Sequence, residues 1–240
     1  MLYAIENLVK KREGTGYALE IRHLVIRKGD RLALTGESGC GKSTTLDILG
    51  LVLAPDSCER FSFSPLNEEI PVWRLYQERK FELLSLLRLR YLGYVLQTGE
   101  LFPFLSVEEN MLFCAELAGQ NKDESVELAH ALAKMLSIER KMRAMPATLS
   151  VGERQRVAIV RALVAKPAVI LADEPTAALD PLNAGRVMEA FLEALYAQNA
   201  TFVLVTHNTA FVRECGLSEF RFSLQERDGG LCAVLDDTAC

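Results

Sequence analysis

Gly36-Glu37-Ser38-Gly39-Cys40-Gly41-Lys42-Ser43-Thr44 is the segment best equipped for chemistry, because it carries the full spacing G-x-x-x-x-G-K-S. Its glycines let the backbone wrap so that successive N–H groups point at phosphate oxygens. A helix expected to begin near Lys42 adds about half a positive charge at its N-terminus. Lys42 suits the β- and γ-phosphates, and the Ser43 hydroxyl suits Mg²⁺. About 0.01 accidental matches are expected in a chain of this length, so an ordinary glycine-rich turn is the weaker reading. A second chemical feature is Val169-Ile170-Leu171-Ala172-Asp173-Glu174, an apolar run that ends in two carboxylates. An acid leaving a buried strand of an α/β sheet lies at the edge where ligands bind. Asp173 is then the natural partner of Ser43 around Mg²⁺, and Glu174 the group that polarises a water for in-line attack on the γ-phosphate. Alone, such an acidic pair is as often a solvated strand end.

These groups need elements to hold them. Alternating apolar positions over Tyr17–Ile26 and the run Arg31–Thr35 predict strands, and Ser43–Leu51 predicts a helix. Ser57–Trp73 has strand-like pieces broken by Pro65 and Pro71, and Gln77–Arg90 is rich in helix formers. Glu108–Ala118 and Glu124–Leu136 read as helices. Strand and helix then alternate through Val169–Ala172, Asn183–Tyr196 and Thr201–Thr206. The two late strands are continuous apolar runs, as expected where helices cover both faces of a parallel sheet. The fold expected is α/β: a P-loop (RecA-like) core with an N-terminal antiparallel β-subdomain and an inserted helical subdomain. It is expected as one domain over 1–240, with core and β-subdomain at 1–96 and 157–240 and helices at 97–156.

Leu149-Ser150-Val151-Gly152-Glu153-Arg154-Gln155 resembles the signature sequence of ATP-binding cassette (ABC) ATPases, which the family carries as Leu-Ser-Gly-Gly-Gln. Other features fall into the family's order. Gln97 matches the Q-loop glutamine, Ala177-Ala178-Leu179-Asp180 the D-loop, and His207 the switch histidine; Tyr17 stands where the family places an aromatic that stacks on adenine. The resemblance implies an ATP-hydrolysing subunit whose catalytic set is Lys42, Gln97, Glu174 and His207, with Ser43, Gln97 and Asp173 around Mg²⁺. It implies nucleotide contacts from Tyr17, the loop Gly36 to Thr44, Ser150, Gly152, Glu153 and Asp180. It further implies a homodimer sandwiching two ATP molecules, separately encoded membrane subunits, a place on the cytoplasmic face of the cell membrane, and no nucleic-acid partner. Ala172–Thr176 and Leu101–Asn110 look most like the lipoprotein-releasing and macrolide-efflux branch. There, Leu101, Phe102, Phe104 and Leu105 either receive a short helix of the membrane partner or fill the helical subdomain's own core. Arg154, Arg156 and Arg161 are expected to solvate a helix face.

Two positions depart from the signature. Val151 replaces the first glycine and disfavours positive φ, so an unstrained backbone is expected there. Glu153 replaces glutamine and puts a negative charge near a nucleotide site, weakening triphosphate binding unless a nearby cation offsets it. Pro55–Trp73 also lacks the glycine-rich pattern that usually follows the first helix. Cys40, inside the phosphate loop, is expected to be alkylated with loss of activity and protection by ATP.

Composition narrows the class. Half the 240 residues are hydrophobic and a quarter charged, and the net charge of −5 disfavours non-specific nucleic-acid binding. No apolar run approaches the roughly 20 residues of a membrane-spanning helix, and Met1–Glu6 lacks the pattern of a signal peptide. None of the six cysteines has C-x-x-C spacing, so free thiols in a reducing compartment are expected. A cassette ATPase of DNA repair or translation, and a small-molecule kinase, are the competing classes. The first usually brings tandem cassettes or zinc modules, and the second has no use for a signature or a switch histidine.

Overall fold

The computed structural model describes residues 1–12, 14, 16–227 and 230–236, and the chain forms two compact units. The first comprises 1–86 and 203–240, the second 87–202.

In the first unit, β1 (Tyr3–Arg12), β2 (Tyr17–Ile26), β4 (Arg60–Phe63), β5 (Ile70–Pro71), β10 (Ser223–Arg227) and β11 (Gly230–Asp236) form one sheet, in the order β10-β11-β2-β1-β4-β5. All its pairings are antiparallel except β11 on β2. Its core is aromatic and aliphatic. Tyr3 stacks on Phe63 at 4.7 Å and its hydroxyl donates to the Leu49 carbonyl at 2.8 Å, fixing the sheet to helix α1 (Lys42–Leu49). Beside it, β3 (Arg31–Thr35) pairs in parallel with β9 (Ser218–Arg221).

The second unit pairs β6 (Leu92–Val95) in parallel with β7 (Val169–Asp173). Around them pack α4 (Val107–Leu117), α5 (Lys122–Met135), α6 (Val151–Val164) and α7 (Pro181–Gln198), whose apolar faces supply Met111, Ala115, Ala129, Leu132, Val157, Val160 and Leu163. Phe191 of α7 meets Phe202 edge to face at 5.3 Å. Strand β8 (Thr201–Val205) starts in this unit, where the Thr201 N–H donates to the Ala168 carbonyl, and continues into the first.

Local chemistry explains most helix starts. Ser106, Asn121, Ser150 and Asp180 each cap the helix that follows, and a side-chain oxygen of each accepts a first-turn N–H. The sequence predicts one helix over Gln77–Arg90. The structure instead has α2 (Val72–Gln77) and α3 (Phe81–Tyr91), separated by a turn in which Arg79 takes φ 55°. Helix-forming composition is blind to such a break, which here lets Leu75 on one helix and Leu84 and Leu87 on the other all be buried. Trp73, read among strand-like pieces, is helical. One further short helix, α8 (Thr209–Glu214), precedes β9.

Candidate functional site

The first unit carries the phosphate loop at the carboxyl end of β3. Gly41 caps α1 with φ 91°, a left-handed conformation open to glycine and strained for other residues. No side chain caps α1, unlike α4 to α7, so its first-turn N–H groups are kept for another acceptor. Lys42, only 8% exposed, donates from Nζ to the carbonyls of Gly36 (2.9 Å) and Glu37 (2.7 Å), bringing its ammonium back over the loop. Ser43 is exposed at the first turn and Thr44 half-buried; Glu37, Ser38 and Gly39 form the exposed crest.

Tyr17 stands beside this loop. A Cβ on Gly41 would meet the Tyr17 hydroxyl at 3.1 Å. Burial, with the neighbouring Cys40 and Cys232 thiols, pushes the phenol up to about 12, so it stays protonated at any physiological pH. His207, which follows β8, lines a cleft of about 750 Å³ together with Thr35, Gly36, Glu37, Arg213 and Arg221. This unit therefore gathers Tyr17, the phosphate loop and His207.

The second unit carries the remaining candidates. Asp173 ends β7, and Glu174 follows with φ 45°, a rare backbone for a non-glycine residue that costs about 1–2 kcal/mol. Such strain is typically held where a side chain must be aimed. Gln97 is exposed just beyond β6, and its carbonyl accepts from Gln155 Nε2 at 3.1 Å, tying the Q-loop to α6. Asp180 caps α7, accepting from the Asn183 N–H at 3.2 Å. Gly152 lies so close to Leu179 that a Cβ there would overlap the leucine, which packs the signature against the D-loop.

Ser150 caps α6 and Val151 is its first residue, outside the positive-φ set, so valine sits there without strain. Glu153 is not a bare charge. Its Oε2 accepts the Ser150 N–H at 2.7 Å, its own N–H donates to Ser150 Oγ at 3.2 Å, and Lys141 Nζ lies 3.3 Å from Oε1.

Two expectations need correction. Arg161 does not solvate a helix face: its guanidinium lies 5.9 Å from the Phe102 ring centre, and desolvation lowers its pKa. Arg154 likewise turns inward to donate to the Leu149 carbonyl at 2.8 Å. Cys40 is 1% exposed, with Sγ 3.7 Å from Lys42 Nζ, which removes it from ready alkylation. We expect a short iodoacetamide treatment of the native protein to spare activity and to leave Cys40 and Cys232 (4% exposed) unlabelled by peptide mass. Rapid, ATP-protected inactivation at Cys40 would contradict this.

The sequence reading passed over Gln155, Lys141 and the fixing of Gly152 by Leu179. A signal existed for the first, a polar residue on the apolar stripe of α6, and for the Ser150–Glu153 capping pair, which has S-x-x-E spacing.

A glycine-capped helix after a parallel strand, a buried lysine folded over the loop, and a strained carboxylate at a strand exit define an α/β protein of the P-loop nucleotide-binding class. The ABC transporter family profile matches residues 19–177, and the chain belongs to that family as an ATP-binding, ATP-hydrolysing cassette. It is 37% identical over 190 residues to the lipoprotein-releasing system ATP-binding protein LolD of Rickettsia bellii, covering 79% of this chain and 80% of that one. The protein of the same name from Treponema denticola is 36% identical over 205 residues, covering 84% and 86%. Among solved structures, a dimeric ATP-binding cassette in a post-hydrolysis state bound to ADP and Pi superposes with a TM-score of 0.75 at 28% identity, covering 96% of each chain. A dimeric bacterial ABC transporter cassette gives 0.76 at 27% identity, covering 98% of this chain and 95% of that one.

Proposed function

We propose that this chain binds Mg-ATP on the loop Gly36–Thr44, pairs with a second copy around two ATP molecules, and works a separately encoded membrane subunit by closing and opening that pair. The observation that carries the reading is the phosphate loop. Helix α1 alone among the helices of eight or more residues with a defined N-cap has no side-chain cap, and a buried ammonium sits over its entry. Both features suit a phosphate chain.

In this reading Lys42 and the loop N–H groups hold the β- and γ-phosphates, and Tyr17 stacks on the adenine. Glu174 polarises the attacking water, and His207 hydrogen-bonds the γ-phosphate. Ser43, Gln97 and Asp173 offer hard oxygen donors of the kind Mg²⁺ prefers. Among the described residues no three His, Cys, Asp or Glu side chains form a metal-ligand group. Ser150, Gly152, Glu153 and Asp180 address the second copy's nucleotide. The helix start at Ser150 supports this, because Val151 and Gly152 are first-turn residues whose N–H groups have no intrahelical acceptor.

The membrane link rests on Phe104, 73% exposed beside half-buried Leu101, Phe102 and Leu105. Phe102 packs on Phe113 at 4.6 Å, making a firm apolar shelf for a short helix of the partner. Among the described residues no helix is long and apolar enough to cross a membrane, and we assign membrane attachment to that partner. The names of the relatives favour a lipoprotein-releasing system. The test is sedimentation of Glu174→Gln with saturating Mg-ATP. A dimer is expected, and a strict monomer at high concentration beside fully active wild type would refute the proposal.

A further inference from the structure

We infer that Lys141 is a positioning residue for the signature loop: it holds and neutralises Glu153, so that Ser150 can donate its hydroxyl proton to a triphosphate carried by a second copy of the chain. The inference rests on the sandwich proposed above and adds to it a residue outside the nucleotide motifs.

The geometry is specific at the level of single atoms. Glu153 divides its two oxygens: Oε2 accepts the Ser150 N–H at 2.7 Å, and Oε1 faces Lys141 Nζ at 3.3 Å. The Glu153 N–H donates to Ser150 Oγ at 3.2 Å. A serine hydroxyl has one proton to give and lone pairs to receive with. Here a lone pair is taken by the Glu153 N–H, and the hydroxyl proton of this exposed side chain faces the Glu153 carboxylate, for which Lys141 competes. The Ser150 N–H is spent on the carboxylate, and the Val151 and Gly152 N–H groups remain for an anion. Glu153 therefore sets which donors the loop offers.

That arrangement has an electrostatic cost, since the carboxylate is a full negative charge within one helical turn of the donors. Lys141, in the 3₁₀ turn Glu139–Lys141, meets that charge from outside α6. The carboxyl is held below its ordinary range by the Ser150 backbone N–H first, and by Lys141 and the Ser150 hydroxyl in addition, against the opposing effect of desolvation. Glutamate at this position is thus compatible with triphosphate binding because a lysine comes with it.

The experiment is a double-mutant cycle in the Glu174→Gln background, reading the ATP concentration at half-maximal dimerisation. Lys141→Ala is expected to raise this midpoint about fivefold, the scale of one partly exposed charge pair, and Lys141→Arg to restore it. ATP binding to the single chain, which uses Lys42, is expected to stay unchanged. With Glu153→Gln already present the charge is gone, and Lys141→Ala should then shift the midpoint less than about twofold. Equal shifts in both backgrounds, or no shift in either, would overturn the inference.

A second measurement needs no dimer. The ¹³C resonance of the Glu153 carboxyl, assigned by its absence in Glu153→Gln, should titrate at higher pH in Lys141→Ala than in the parent. An unmoved titration would overturn the pairing itself. Failure of the parent to dimerise, with that titration moved as expected, would instead refute the sandwich and the role of Lys141 across it.

Discussion

Lys42→Ala is expected to lower ATP hydrolysis about a thousandfold while leaving the fold nearly intact. The lysine is the first residue of α1 and is buried, yet it makes no ion pair with a carboxylate among the described residues. Its partners are the loop carbonyls of Gly36 and Glu37. A buried ammonium is costly to desolvate, and two carbonyl dipoles compensate it less completely than an anion does. The site is thus built to favour a strong anion at Nζ, because the third ammonium proton has only the weak Cys40 thiol acceptor at 3.7 Å. Removing the lysine costs the fold two carbonyl hydrogen bonds and the weak contact with the Cys40 thiol, about 1–3 kcal/mol in total. It costs the reaction a charge aimed at the phosphate that carries developing negative charge. Lys42→Arg should rescue little, because a planar guanidinium cannot reproduce the compact contacts beneath the loop. Steady-state phosphate release and thermal unfolding on the same samples decide the matter. Activity within tenfold of wild type would sink the assignment. So would an unfolding shift large enough to explain the loss alone.

The phosphate loop was legible from sequence because its physics is local. Glycines that adopt left-handed backbone, a lysine and a hydroxyl must follow one another at fixed spacing, and Gly41 with φ 91° is the conformation that spacing encodes. The apolar strand Val169–Ala172 and the acid that ends it were legible for the same reason. The strain at Glu174 was not, since any residue type could occupy φ 45° if the surroundings enforce it.

What escaped the sequence depends on segments far apart in the chain. Arg161 looks like one more surface arginine until Phe102, brought over by the loop before α4, supplies the ring beneath it. The break at Arg79 escaped because Gln77 to Arg90 is helical in composition throughout, and only the burial of Leu75, Leu84 and Leu87 shows why two helices serve better than one. Strands β9 to β11 mix polar and apolar residues and acquire strand character from their neighbours, Ser218–Arg221 by lying in register along Leu32–Thr35. Glu153 marks the boundary between the two kinds of information. Its bond with Ser150 is written in four consecutive residues, whereas Lys141 reaches it from a separate turn.

A position with no chemistry of its own should matter to the fold almost as much as Lys42 matters to the reaction. Gly93→Ala is expected to destabilise the protein by about 2–3 kcal/mol, and Gly93→Val by more than about 4 kcal/mol. Gly93 lies in β6 opposite Ile170 of β7, and α6 packs on β6. A Cβ there would meet Ile170 Cδ1 at 2.5 Å, the Ala162 carbonyl oxygen at 2.8 Å and Pro167 Cγ at 3.1 Å. The isoleucine can rotate away, but the carbonyl belongs to the backbone of α6 and can yield only if the helix moves. That helix is capped by Ser150, so the strain would travel to the signature loop at its other end. Two readouts should therefore change together, the urea midpoint and the ATP concentration that drives dimerisation. Ile170→Val, which removes the δ-methyl, should return part of the stability lost in Gly93→Ala but little of the dimerisation, because the clash with the helix backbone remains. If Gly93→Ala were as stable as wild type to within about 0.5 kcal/mol, the close approach of α6 to β6 would not constrain this position.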